Sequence, residues 1–148
     1  MKLTTRGHYS VKALLDLSLQ PAGTVSSVNA IAARQSLPAP YLEKLLIELR
    51  RSHLVSAIRG AHGGYQLAKP PSQISLGQIL EAVGESASPF ADSAGANPDQ
   101  AEDWVTSMLW QRLHQKLEDA FDSITLEDLY YDARSWQAAQ GEGASFVV

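Results

Sequence analysis

The 148-residue chain contains no cysteine. That absence excludes disulfides, thiolate zinc sites and cysteine nucleophiles. No apolar run approaches the ~20 residues that a membrane span needs, and the start, MKLTTRGHYS, lacks the apolar stretch of a signal peptide. A soluble, cytoplasmic protein is expected. Positive charge is scarce in the second half. Residues 71–148 carry three Lys/Arg against thirteen Asp/Glu, a net of −10, whereas residues 1–70 carry nine against three, a net of +6, and the two give the overall −4. A basic half joined to an acidic half suits a nucleic-acid-binding module attached to an assembly or sensing module. Drift in a two-part chain would produce the same asymmetry without function. Hydrophobic residues at 45% and charged residues at 19% are ordinary for a globular fold.

Helical periodicity dominates what is present. In HYSVKALLDLSLQ, Val11, Leu14 and Leu15 mark one buried stripe, which Pro21 and Gly23 end. VNAIAARQ reads as a short helix capped by Ser26 or Ser27, with Val28, Ile31 and Ala32 inward. After the tight connection SLPAP, YLEKLLIELRRS places Leu42, Leu45, Leu46 and Leu49 at i, i+3, i+4, i+7, with Pro40 in the first turn. Two short helices joined by a three- or four-residue turn form a helix-turn-helix, whose second helix can enter a major groove. Plain core packing also uses such hairpins.

The next stretch, LVSAIRGAHGGYQLAKP, alternates as a strand, breaks into RGAHGG, and resumes as a strand. A P-loop would need a Lys-Ser/Thr end and a following helix, and neither is there. A plain hairpin needs the glycines but no leading arginine. A hairpin directly after a recognition helix is a wing, with Arg59 able to seek the negative potential of a minor groove. Gly60, Gly63 and Gly64 would allow positive φ and close backbone approach. Ser75 and Gln78 then make a capping box for ISLGQILEAVGE.

SASPFADSAGANPDQAEDW has almost no apolar periodicity and reads as a long loop. Beyond it Val105, Leu109, Leu113, Leu117 and Phe121 recur at four-residue steps, widened by Trp104, Met108, Trp110 and Ala120. So broad an apolar face, appended to a module with its own core, most simply packs against its twin. Folding back onto its own domain is the rival arrangement. TLEDLYYDARSW follows as a last helix with Thr125 as cap and Asp128 as its reciprocal partner, and QAAQGEGASFVV reads as a mobile tail.

Taken in order, MKLTTRGHYSVKALLDL, PYLEKLL, LVSAIRGAHGGYQLAKP and ISLGQILEAVGE resemble the IscR-type bacterial transcription regulators, whose relatives include NsrR and CymR. The resemblance is strong over residues 1–85 and weaker through MLWQRLHQKL and SITLEDL. It implies a mainly α fold with a small β-hairpin wing: a winged helix-turn-helix domain at 1–85, a loop at the family's cluster position (86–103), a dimerisation helix and short helix (104–131), and a tail (132–148). It further implies a homodimer on double-stranded DNA at a palindromic operator, read here as a repressor. Tyr41, Glu43, Lys44 and Arg51 of the recognition helix, Arg59, Gly60 and His62 of the wing, and Arg6 are the expected DNA-binding residues. A carboxylate such as Glu43 can accept from cytosine N4 and so discriminate more than it attracts. Pro40 stands where other members carry a small hydroxyl residue.

Iron–sulfur members carry three cysteines in the loop. Here the corresponding positions are approximately Asp92, Pro98, Trp104 and Ser107, and none is a soft ligand. Clusters are held mainly by thiolate, so no iron–sulfur cofactor is expected. His8 and Asp92 are the remaining metal candidates, with His8 more simply a polar residue near the DNA-facing end of the first helix. Control by a regulatory protein or small metabolite through the acidic half, as in a CymR-like interaction module, is the alternative for regulation. No Ser/His/Asp order, metal motif or phosphate loop supports an enzyme.

Overall fold

The computed structural model describes residues 4–85, 97 and 99–145. Six helices and one hairpin follow in the order α1 (Thr5–Leu19), α2 (Val28–Gln35), α3 (Ala39–Arg51), β1 (Val55–Ile58), β2 (Gly64–Leu67), a single 3-10 turn (Pro71–Gln73), α4 (Leu76–Ala82), α5 (Ala101–Ser123) and α6 (Leu126–Ser145). The fold is mainly α with a winged helix-turn-helix, as the sequence implies.

Local chemistry sets the boundaries. α1 stops two residues before Pro21, because the residue preceding a proline is driven out of the helical region. Ser27 caps α2 by accepting from the Ala30 amide at 3.1 Å, and Ser36 ends it in the left-handed region at φ 55°. Pro40 lies in the first turn of α3, where its missing N–H removes no helical bond. Leu42, Leu45, Leu46 and Leu49 of α3 are fully buried and meet Leu14 of α1, Ile31 of α2, Ile79 of α4 and Val83 just after it in one core. Each such side chain contributes about 1.5–3 kcal/mol relative to exposure.

The antiparallel hairpin pairs Val55 with Leu67, Ser56 with Gln66, Ala57 with Tyr65 and Ile58 with Gly64. Ser26 extends it as a third short edge: its amide donates to the Tyr65 carbonyl at 2.9 Å, and the Tyr65 amide donates to the Ser26 carbonyl at 2.7 Å.

The α5–α6 corner is tied to the body in the same way. Leu76 N–H donates to Ile124 O and Leu126 N–H to Ile74 O, both at 2.8 Å, and Leu126 is fully buried. The boxes at Ser75/Gln78 and Thr125/Asp128 are both present. Away from that corner α5 stands clear of its own domain, with no buried residue. Folding back is therefore not what this helix does. α6 departs from expectation by continuing to Ser145, so residues 137–145 are helical where a mobile tail was expected. Gly141 and Gly143 each cost a helix only about 1 kcal/mol, and the Ala and Gln residues around them favour it.

Candidate nucleic-acid interface

With Leu42, Leu45, Leu46 and Leu49 turned inward, α3 presents Pro40, Lys44, Ile47 and Arg51 along its opposite face. Glu43 and Arg50 flank that row on one side, Tyr41 and Glu48 on the other. Glu43, Lys44, Arg50 and Arg51 are exposed. Tyr41 is half-buried, its ring edge-on to Tyr9 at 5.9 Å, so the ring serves packing between α1 and α3. α3 passes into β1 through Ser52–Leu54, with His53 at φ 61° making the bend. The Ala68 amide donates to Leu54 O at 3.0 Å, which brings Lys69 to the same joint as Arg50 and Arg51.

The wing loop exposes Arg59, Gly60 and His62. Its glycines divide by cause. Gly60 sits at φ +123° with open space around its Cα, so backbone conformation alone demands glycine there. A side chain at Gly63 would overlap the Ile58 carbonyl, and one at Gly64 the Ser26 carbonyl. Those two glycines serve the hairpin's own closure, which corrects the expectation that all three give access to a groove.

The positive charge of the first half divides as well. Arg34 donates to Asp16 through Nε at 3.0 and 3.2 Å and through Nη2 at 2.7 Å, and also to Ser26 Oγ at 2.9 Å. Gln35 adds 2.8 Å to Asp16, which is buried. The hydrogen bond to Asp16 holds the Arg34 guanidinium above its ordinary pKa, with Coulombic attraction adding to it. Lys12 Nζ donates to the Gln35 carbonyl at 3.0 Å. Arg6 donates through Nε to Val83 O at 2.9 Å and pairs with Glu48 at 2.5 Å. Three arginines and lysines thus serve the fold. Among the described residues, the side chains of Lys44, Arg50, Arg51, Arg59 and Lys69 have no hydrogen-bonded or ionic partner. All five lie on α3, its joint or the wing. Sequence reasoning singled out Lys44, Arg51 and Arg59, passed over Arg50 and Lys69, and placed Arg6 at the interface when its head group is engaged internally.

His8 is exposed beside Tyr9, ring to ring at 6.0 Å, and Asp92 lies outside the described residues. Of the expected dimerisation residues, Val105, Leu109 and Leu113 are exposed at 56%, 41% and 37%, while Leu117 and Phe121 are half-buried toward the corner with α4. Trp104 and Met108 widen the exposed strip. No described helix is long and apolar enough to cross a membrane.

The model of the Rrf2 family, described as iron-dependent transcriptional regulators, matches residues 3–132. The chain belongs to the Rrf2 family. It is 65% identical over the full length of both chains to a protein of Synechocystis sp. named a putative HTH-type transcriptional regulator. It is 41% identical to the regulator IscR of Cereibacter sphaeroides, covering 87% of this chain and 86% of that one. Among solved structures it resembles CymR, the global cysteine regulator of B. subtilis, at TM-score 0.76 and 32% identity over 88% of this chain and 97% of that one. IscR of T. potens gives TM-score 0.73 and 39% identity over 93% and 91%. This Rrf2-family protein is an HTH-type transcriptional regulator, not an enzyme, and DNA is its partner.

The family description speaks of iron, and the residues of this member do not fit a thiolate-held cluster. The chain has no cysteine, and among the described residues no group of three or more His, Asp or Glu side chains is placed to hold a metal. Trp104 and Ser107, which the sequence resemblance places approximately at family ligand positions, lie on α5, where an indole and a hydroxyl offer no soft donor.

Proposed function

We propose that this Rrf2-family protein acts as a homodimeric repressor on a palindromic operator and does so without a cysteine-ligated iron–sulfur cluster. The carrying observation is the division of cations: the fold consumes Arg6, Lys12 and Arg34, and leaves Lys44, Arg50, Arg51, Arg59 and Lys69 without partners around α3 and the wing. In this reading Lys44, Glu43 and Arg51 meet the major groove, Arg59, Gly60 and His62 the minor groove, and Arg50 and Lys69 the phosphates between them. The apolar strip of α5 supports the dimer, because Val105, Leu109 and Leu113 have no cover within their own chain. An α-helix of this length spans roughly 34 Å, comparable with the separation of half-sites one DNA turn apart.

The test is selection of duplexes from a random-sequence pool, followed by titration of the recovered consensus at several salt concentrations. The two phosphate-facing cations per protomer, Arg50 and Lys69, give a logarithmic salt slope of roughly −2 per half-site. Arg59→Ala weakens binding by about 1–3 kcal/mol if Arg59 makes a specific groove contact. Unchanged affinity at fixed salt removes Arg59 from the interface.

A second reading concerns control rather than DNA binding. A groove of about 520 Å³ between α4 and α5 is lined by Glu81, Glu85, Glu118 and Asp122 together with Leu80 and Phe121. It favours regulation through the acidic half by a small molecule or a protein. A dimer whose operator affinity is the same in cell extract and in buffer would leave this reading without support.

A further inference from the structure

The Arg6 side chain occupies a junction of three helices. It leaves the first turn of α1, donates through Nε to the Val83 carbonyl at the end of α4, and grips the Glu48 carboxylate of α3 through Nη2. Around it, Glu85 fastens the same turn of α1: Oε1 accepts from the Gly7 amide at 3.2 Å and Oε2 from the Thr4 amide at 3.5 Å. A carboxylate at a helix N-terminus satisfies amides that have no partner within the helix and meets the positive end of its dipole. The end of α4 therefore holds the start of α1 by two independent connections, and Arg6 carries that hold across to α3.

Glu48 lies two residues beyond the buried Leu46, on the flank of α3 that faces α1, beside the half-buried Tyr41. It is one of only two carboxylates on this helix, and the other, Glu43, is exposed and unpaired. An unneutralised Glu48 on that flank would repel the phosphates that border the groove entered by Lys44 and Arg51. Charge repulsion at such an interface falls on affinity directly. A guanidinium is suited to the task, because its fixed fork serves two acceptors in different directions at once, as a lysine ammonium on a flexible stem does less well. The hydrogen bond to Glu48 also raises the guanidinium's pKa, and the charges of Glu48 and Glu85 act in the same direction.

We propose that Arg6 is a positioning residue of the DNA interface: it fixes the orientation of α3 against α1 and α4 and neutralises Glu48, and does not itself contact phosphate. This rests on the reading of α3 as the DNA-reading helix.

The experiment uses the full chain and the duplex recovered by the wild-type protein from a random-sequence pool, with Arg6→Gln, Glu48→Gln and the double variant titrated across a salt series. Arg6→Gln is expected to weaken binding about tenfold, since groups within one ion pair couple by roughly a factor of this size. Glu48→Gln binds as well as wild type or tighter. The double variant recovers part of the Arg6→Gln loss with an unchanged salt slope, because the charge that needed screening is gone while the tie to Val83 stays broken. A double variant as weak as Arg6→Gln alone, with the slope reduced by about 0.9, identifies a lost phosphate contact and overturns the proposal. Should Arg6→Gln fail to fold by circular dichroism, Arg6→Lys decides. The proposal expects weakened binding despite the retained charge, and a phosphate contact expects near-wild-type binding. A wild-type chain that recovers no duplex overturns the DNA reading itself and this assignment with it, an outcome distinct from failed rescue.

Discussion

Replacing Arg34 by methionine isolates the contribution of one internal ion pair to this fold. Asp16 is 3% exposed and accepts four hydrogen bonds, three from Arg34 and one from Gln35. Methionine preserves much of the aliphatic stem and removes the guanidinium, leaving the carboxylate with Gln35 alone. Breaking a buried pair by removing one partner costs about 3–5 kcal/mol. The Arg34 side chain is 35% exposed, so water can reach the vacated place, and the expected loss falls below that range, to about 2–3 kcal/mol. At about 2–4 °C per kcal/mol for a chain of this size, Tm falls by roughly 5–10 °C. Asp16→Ala leaves a cation that can turn to solvent and is expected to cost less, about 1–2 kcal/mol. The double variant then loses less than the sum of the singles. Urea denaturation followed by circular dichroism, at matched protein concentration because the stability of the proposed homodimer depends on it, reads these differences as a shift in midpoint at constant slope. The Asp16 hydrogen bond raises the folded pKa of Arg34, so the contribution is present throughout the pH range below ordinary arginine titration and fades only as pH rises through the raised value. The difference between variant and wild type should therefore be equal at neutral and mildly alkaline pH. An Arg34→Met protein within about 0.5 kcal/mol of wild type would show that the pair merely replaces equivalent hydration, and the reasoning would fail.

Three further substitutions probe other parts of the molecule. Leu109→Glu combined with Leu113→Glu places charge on the exposed strip of α5 and should yield monomers in sedimentation velocity; persistence of the wild-type oligomer would move the dimer interface elsewhere. Gly64→Ala drives a methyl into the Ser26 carbonyl and should break the paired Ser26–Tyr65 bonds, lowering stability by about 2–4 kcal/mol and accelerating amide exchange at both residues; unchanged exchange would mean the edge relaxes without parting. Glu43→Ala should broaden the selected consensus more than it lowers affinity, and recovery of the same consensus by both proteins would remove Glu43 from base recognition.

Leu42, Leu45, Leu46 and Leu49 locate α3 from their spacing alone, and Ser75/Gln78 and Thr125/Asp128 announce helix starts through side chains within reach of their own amides. Such features are legible because each is a local interaction completed within one or two turns. The extent of α6 was less so: Gly141 and Gly143 are weak local signals, and a count of breakers overstates them.

Charge was legible as a total and not as an arrangement. The basic half, the HTH spacing and the arginine-led hairpin suffice to point to DNA, because composition and periodicity report on whole elements. Which cations are free depends on contacts between residues far apart in the chain: Arg6 with Glu48, Arg34 with Asp16, Lys12 with the Gln35 carbonyl. In the same way, Gly60 answers to its own φ, whereas Gly64 answers to Ser26, 38 positions earlier. The sequence by itself determined the elements, their order and the sign of the field around them, since those follow from near neighbours and from sums. Only the tertiary structure decided which charges face outward and which face of α5 lacks cover, because hydrogen-bond partners and burial exist only once distant segments are brought together.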